Sequence, residues 1–276
     1  MQETFDRTRT GGDTLAKDET FDLISSDKVD GTAVYNAQDE KLGKIDHFMV
    51  GKRDGRVRYA VLDYGGFFGS GDELYPLPWE ALTYNVDEIE IDVRVTRDGI
   101  PVLNHDVVLH GATLPIAHHT LQELRARKPD LATLSEALEL LQHKASAMIE
   151  VKPRVDIAPV VAVLQQHLDK GWKAQDITLG SFSQKTLRAL HAALPELPTI
   201  VIERFSGLYA GYRARQLHTK KVSMNHLFVW AGYISAMRRQ QYELYVYTLN
   251  DPKRAARFQK HGLYGVITDR PDLFSS

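Results

Sequence analysis

The 276-residue chain contains no cysteine. Disulfides, thiolate nucleophiles and zinc–thiolate centres are therefore excluded, and a reducing compartment fits. Basic excess is missing too: 34 Lys and Arg against 36 Asp and Glu leave a formal net charge of −2. No positive field is available for nucleic acid. Long hydrophobic runs are also absent, since stretches such as Val160–Leu164 are far too short to span a bilayer. The opening "MQETFDRTRTGGDTLAKDET" has no basic patch leading into an apolar core, so it does not read as a secretory signal. A soluble, cytoplasmic protein is expected, with residues 1–20 a polar, disordered tail.

Two compositional regimes follow. Residues 21–86 carry short β-type runs, "TAVYN", "KLGKIDHFMV", "RVRYAVLDYGG" and "YPLPWEAL", broken by turn signals at "GKRDG" and "GGFFGSGDE". That pattern predicts a small all-β barrel of about six strands. The second glycine-rich segment lacks the Lys-Ser/Thr of a phosphate loop and reads as a turn. From residue 87 onward, strand-like runs alternate with helical periodicity, which predicts a parallel sheet. The strands expected are Glu88–Val95, Ala147–Lys152, Ile177–Ser181, Thr199–Ile202, Val222–Asn225, Leu244–Asn250 and Gly265–Asp269. Helices fall on "TLSEALELLQHK", "APVVAVLQQHLDKG", "SQKTLRALHAAL" and "DPKRAARFQKHG". A closed (β/α)8 barrel needs eight strands, one more than these.

The chemistry concentrates in two segments, "EIEIDVRVTRDGIPVLNHD" from Glu88 to Asp106 and "MIEVK" from Met148 to Lys152. Strand alternation puts Glu90 and Asp92 on one face, and Glu150 and Lys152 on one face of their own strand. "TRDG" is a tight turn, with Gly99 at the position needing φ > 0, and "IPVLNHD" returns as a hairpin arm. Spacing alone leaves Glu90 and Asp92 equally as salt-bridge partners of Lys152 or as metal ligands. If Glu90, Asp92 and Glu150 converge, an all-oxygen site suits Mg²⁺ or Ca²⁺ rather than zinc. Lys152 would then meet an anionic substrate, and His105 is a proton carrier at neutral pH. Asp106 either orients His105 or caps a loop. Ser181-Phe182 has no base nearby in sequence and reads as strand-end packing. Tyr247 is a pocket wall or a core residue, and His118, His119 and His226 are loop or surface histidines.

Two resemblances carry these readings further. Gly31, "VYN" at Val34–Asn36, "LGKI" at Leu42–Ile45, "YAVLDYGGFFG" at Tyr59–Gly69 and "LPWEAL" at Leu77–Leu82 resemble a PRC-barrel domain. That implies a binding or assembly module, with a protein partner or homo-oligomer formed through it. The ordered set "EIEIDVRVTRDGIPVLNHD", "MIEVK", "LGSFS", "YVYTLND" and "GVITDRPD" resembles the glycerophosphodiester phosphodiesterases. This resemblance implies a TIM-type barrel over residues 87–276. It also implies a divalent metal on Glu90, Asp92 and Glu150, phosphate contact from Lys152, and His105 as one of two catalytic histidines. Tyr247 stands where that family has tryptophan. The implied substrate is a small glycerophosphodiester, cleaved to an alcohol and glycerol phosphate.

The His-Arg-Gly strand and Glu-Asn-Thr helix that open the family's barrel are absent from the chain. The missing eighth strand and the missing His-Arg-Gly are one deficit. The chain is thus expected to be multi-domain: a small β barrel, then a (β/α)8-like barrel without its first β–α unit and with impaired activity. The alternative is a non-catalytic binding or assembly protein, or a fold chimera, that uses the PRC barrel for interactions.

Overall fold

The computed structural model describes residues 29–35, 41–52, 56–63, 74–78, 87–109, 111, 113–141 and 145–274. The polar tail, the glycine-rich turn near residue 66, Trp79 and the junction before residue 87 lie outside the described residues.

The first regime forms an antiparallel meander of β1 (Ala33–Tyr35), β2 (Lys41–Val50), β3 (Val57–Asp63) and β4 (Leu74–Pro78), hydrogen-bonded in that order. These are the strands of the expected barrel that fall among the described residues. Val29, Val34, Ile45, Ala60 and Leu62 form its core.

The second regime is α/β. Its strands are β5 (Glu88–Val95), β6 (Pro101–Leu103), β7 (Ser146–Val151), β8 (Ile177–Ser181), β9 (Thr199–Glu203), β10 (Lys221–Asn225), β11 (Glu243–Tyr247) and β12 (Gly265–Val266). They form one sheet in the order β12-β11-β10-β9-β8-β7-β5-β6. All neighbours run parallel except β5 and β6, which are the arms of the expected hairpin. Every residue of β8 is buried, as strands covered on both faces require. Gly99 turns the hairpin at φ 78°, a region open to glycine at little cost. Thr96 and Asp98 brace that turn, and the Asp98 carboxylate accepts from the Leu121 N–H at the start of the next helix.

The helices are α1 (Leu121–Arg125), α2 (Leu134–Leu141), α3 (Ala158–Asp169), α4 (Gln184–Ala193), α5 (Gly207–Gln216), α6 (Ala231–Arg239) and α7 (Pro252–Lys260). Most start on side-chain caps. Thr120 and Glu123 form a capping box for α1. Ser183 caps α4 and Ser206 caps α5, and Asp251 accepts from the Lys253 and Arg254 N–H groups ahead of α7. Helices and outward strand faces enclose two apolar cores, one centred on Ile149, Leu164 and Leu179, the other on Val222, Leu244 and Ile234. No helix among the described residues is long and apolar enough to cross a membrane.

Strand register sends the other set of side chains to the concave face. Asp92 pairs with Glu150, Glu150 with Gly180, Gly180 with Ile200, and Ser223 with both Ile202 and Tyr245. The sheet curls inward: Tyr247 on β11 donates to the Glu203 carbonyl on β9, and Lys221 on β10 donates to Thr178 on β8, each across an intervening strand.

All seven expected parallel strands are present and one interval stays open. The Asp87 and Val93 carbonyls accept from Ser146 and Lys152 on the β7 side. By the two-residue period, the backbone groups of Glu88 and Glu90 face the opposite edge. Among the described residues β6 covers that edge only at Val93–Val95, and no strand pairs with it at Glu88 and Glu90 or with the outer edge of β12. In hydrogen exchange, the Glu88 and Glu90 amides should therefore exchange much faster than those of Ile89 and Ile91. Equally slow exchange at all four in a dilute monomer would show that another segment closes the interval.

Candidate metal and phosphate site

Strand ends build the site. In a parallel sheet of this class, polar side chains near the C-terminal ends of the strands meet at one mouth. Glu90 and Asp92 come from β5, Glu150 from β7, and Lys152 from the residue after β7. One carboxylate oxygen each from Glu90, Asp92 and Glu150 lies within 4.8 Å of the others. Lys152 Nζ reaches into the group, 2.6 Å from Asp92 Oδ1 and 2.7 Å from Glu150 Oε1.

The electrostatics follow from burial. The Glu150 and Lys152 side chains are 7% and 6% exposed, so their charges are held mostly out of water. Burial, followed by the negative charges of Asp92 and Glu150, pushes the Glu90 carboxyl up to about 8, against the pull of Lys152. Burial also raises Glu150, opposed by its hydrogen bond and charge contact with Lys152. Three carboxylates around one ammonium leave the cluster short of positive charge, which favours the protonated form of Glu90. A divalent cation would supply that charge in the proton's place, and an all-oxygen donor set suits a hard cation. The residues present therefore fit a metal.

His105 stands at the rim, 73% exposed, with Nδ1 2.9 Å from Asp106 Oδ1, which gives Asp106 the orienting role. Its position is fixed through the backbone. Arg94 donates to the His105 carbonyl from Nε at 3.1 Å and Nη2 at 2.8 Å, and Asn104 Nδ2 bridges the carbonyls of Asp106 and Val108. Asn104, the residue before His105, donates its N–H to the Asp92 carbonyl at 3.1 Å, which ties the histidine's loop to the strand that carries Asp92. The Tyr247 hydroxyl donates to the Glu203 carbonyl at 3.0 Å, and its ring meets Phe182 edge-on at 6.0 Å. Ser181 has the packing role expected, its Oγ donating to the Val151 carbonyl at 2.6 Å.

Of the six residues singled out in sequence, the structure brings Glu90, Asp92, Glu150 and Lys152 into one cluster, while the contacts of His105 and Tyr247 are with Asp106 and with Glu203 and Phe182. His118 and His119 lie at the short turn Ile116–His118, and His226 opens the turn His226–Phe228 after β10 with its Nδ1 buried. Two arginines escaped the sequence reading. Arg204 lies over Phe182 at 6.0 Å, and the continuation of the β9 alternation (Ile200, Ile202, Arg204) could have marked it. Arg213 is fully buried beneath the mouth, donating to the Ile202 and Ser181 carbonyls, to Gln184 and to Glu203. A lone arginine on a polar helix gives no such signal.

The sequence profile of the Glycerophosphoryl diester phosphodiesterase family matches residues 80–273, and that of the PRC-barrel domain matches residues 21–100. The overlap includes β5, whose pairing with β7 places it in the α/β sheet. The glycerophosphodiester phosphodiesterase of Bacillus subtilis is 27% identical over 256 residues, covering 79% of this chain and 85% of that protein. The enzyme of the same name from Bacillus altitudinis is 24% identical over 232 residues, covering 77% of this chain and 95% of that protein. Among solved structures, an Oleispira antarctica phosphodiesterase in complex with the product sn-glycerol-3-phosphate aligns with a TM-score of 0.61 and 23% identity, over 69% of this chain and 84% of that one. A glycerophosphodiester phosphodiesterase from Agrobacterium tumefaciens aligns with a TM-score of 0.57 and 24% identity, over 70% of this chain and 87% of that one.

Proposed function

We propose, on the premise that this chain belongs to the glycerophosphoryl diester phosphodiesterase family, that it is a slow, metal-dependent phosphodiester hydrolase acting on small glycerophosphodiesters. The observation that carries the proposal is the meeting of Glu90, Asp92 and Glu150 around Lys152 at the strand ends. Those three carboxylates would hold Mg²⁺ or Ca²⁺, which when bound supplies charge stabilisation at a phosphoryl oxygen. Lys152, already poised between two carboxylates, offers its ammonium to the phosphate. His105 moves a proton at the scissile ester, with Asp106 holding its Nδ1 so that Nε2 faces the substrate. Tyr247 and Phe182 bound the alcohol portion.

The slowness has a specific cause. The family resemblance implies two proton-transferring histidines, and the chain has no His-Arg-Gly to supply the other. One such group is worth ~10²–10⁴ in rate. Hydrolysis of glycerophosphocholine by the purified chain should therefore need added Mg²⁺ or Ca²⁺ and run ~10²–10⁴ below the Bacillus subtilis relative. Glu150→Gln should weaken metal binding and abolish the remainder, and His105→Ala should lower the residual rate toward background. Fast turnover that ignores His105→Ala would overturn these roles.

A second reading, an assembly role for the PRC barrel, draws on one observation. Met49 and Tyr59, register partners on one face of its sheet, are about half exposed, an apolar surface suited to a protein partner. Cross-linking at micromolar concentration, with and without Tyr59→Ser, tests it: a cross-linked species lost in the variant supports the role, and monomer alone refutes it.

A further inference from the structure

Beside the carboxylate cluster, the same mouth carries side chains that a soluble surface would ordinarily hide. After β9, Phe205 is 64% exposed and Leu208 90% exposed; after β10, Leu227 is 65% and Trp230 64% exposed. Both loops leave the C-terminal ends of their strands, as Glu150 and Lys152 do, so they rise on the site's side of the sheet. The two loops are braced against each other. The Phe205 and Phe228 rings meet edge to face at 5.1 Å, and Trp230 packs against Tyr233 at 5.5 Å. Tyr233's ring fills the space where a side chain at Gly207 would sit, which makes glycine necessary there. The apolar rim is thus a preformed surface.

This rim is continuous with the polar site. The Arg204 guanidinium lies 5.7 Å from the centre of the Phe205 ring and 6.0 Å from that of Phe182. Phe182 in turn meets Tyr247 and follows Ser181, whose hydroxyl donates to the carbonyl of Val151, the residue between Glu150 and Lys152. A path therefore runs from carboxylates and Lys152, past an aromatic wall and one cation, to an open apolar shelf. A bare glycerophosphodiester uses only the first half of it. A surface for a protein partner would not need to lead into the site.

We propose that Phe205, Phe228, Leu227 and Trp230 form an acyl-chain subsite, and that the preferred substrate is a phosphodiester whose glycerol retains one long fatty acyl chain. The inference rests on the phosphodiesterase reading and extends it to the substrate's apolar end. The phosphate sits at Lys152, the ester passes Arg204 and Tyr247, and the chain lies across the Phe205–Phe228 pair toward Leu227 and Trp230. Each methylene removed from water tightens binding about fourfold, so covering a few of them gives at least ~100-fold over the deacylated compound.

Trp230 reports the event directly. With divalent metal present, the full chain is titrated with a monoacyl glycerophosphocholine below its micelle concentration, and binding is compared calorimetrically with glycerophosphocholine. An alkyl maltoside of equal chain length is the phosphate-free control. The expected result is a saturable blue shift of tryptophan emission, absent in Trp230→Phe, with affinity at least ~100-fold above that for glycerophosphocholine. Phe205→Ser, an exposed position, should weaken the acylated ligand about tenfold or more and leave glycerophosphocholine unchanged, with an unaltered melting temperature. Equal affinity for both phosphodiesters would overturn the subsite and leave the phosphodiesterase reading standing. An equal shift with the maltoside would overturn it in favour of a general apolar or membrane-facing surface. Failure of both phosphodiesters to bind would remove the underlying reading, and the subsite with it.

Discussion

Replacing Lys152 with methionine should destabilise the metal-free chain by about 3–5 kcal/mol at pH 8 and by much less at pH 5. Methionine keeps most of the apolar stem, so the loss is one of charge rather than of volume. With Nζ gone from its places 2.6 Å from Asp92 and 2.7 Å from Glu150, two poorly hydrated carboxylates face each other and Glu90 without a cation. At pH 5 protons relieve the repulsion, because burial already raises both Glu90 and Glu150. Saturating Mg²⁺ should restore part of the loss at pH 8. Urea unfolding of wild type and variant at the two pH values decides it, and a small, pH-independent difference would show that Lys152 is not the counter-charge of the cluster.

The wild-type chain should itself lose stability as pH rises from about 5 to about 8 when metal is withheld, by on the order of 2 kcal/mol. Glu90 titrates at about 8 in the folded chain, whereas an unfolded glutamate titrates near ~4.3. Between those values the folded state keeps a proton that the unfolded state has released. That stabilisation is fully present below the unfolded value and is lost as pH passes through the folded one. The groups that set the window are Asp92, Glu150 and Asp269, which raise Glu90, and Lys152, which lowers it. A divalent cation competes with the same proton, so its stabilising effect should grow with pH across the window. Melting temperatures with chelator and with metal, at half-unit pH steps, test both halves. Stability that climbs toward pH 8 in chelator would contradict the buried acid at residue 90.

The strands and the carboxylate pattern were legible in sequence for one reason: a two-residue period in β-branched runs specifies both the element and which face carries the acid. Glu90, Asp92 and Glu150 could be assigned to one side before any fold was known. The balance between salt bridge and metal ligand could not, because it depends on cross-strand distance. The structure shows the ion pairs of Asp92 and Glu150 with Lys152, and brings a Glu90 oxygen within 4.8 Å of theirs. Helices α5 and α6 escaped prediction because "GLYAGYRARQ" carries two glycines and neither segment shows a strong apolar stripe. The apolar rim was invisible for a related reason: Phe205 and Trp230 look like core residues until their neighbours are placed. Arg213 illustrates the limit, since its partners come from β8, β9 and α4 and no local pattern announces them.

The clamp on the loop after β6 has an engineering consequence. Arg94 and Asn104 grip that loop by main-chain carbonyls, including the one belonging to residue 105 itself. Any amino acid at 105 presents the same carbonyl, so the loop should keep its course whatever side chain is mounted there. Position 105 is in effect a socket with a fixed address beside the cluster. A glutamate, lysine or cysteine fitted into it would sample different acid–base chemistry against an unchanged set of neighbours, which makes this chain a test bench for what a single exchangeable proton carrier contributes.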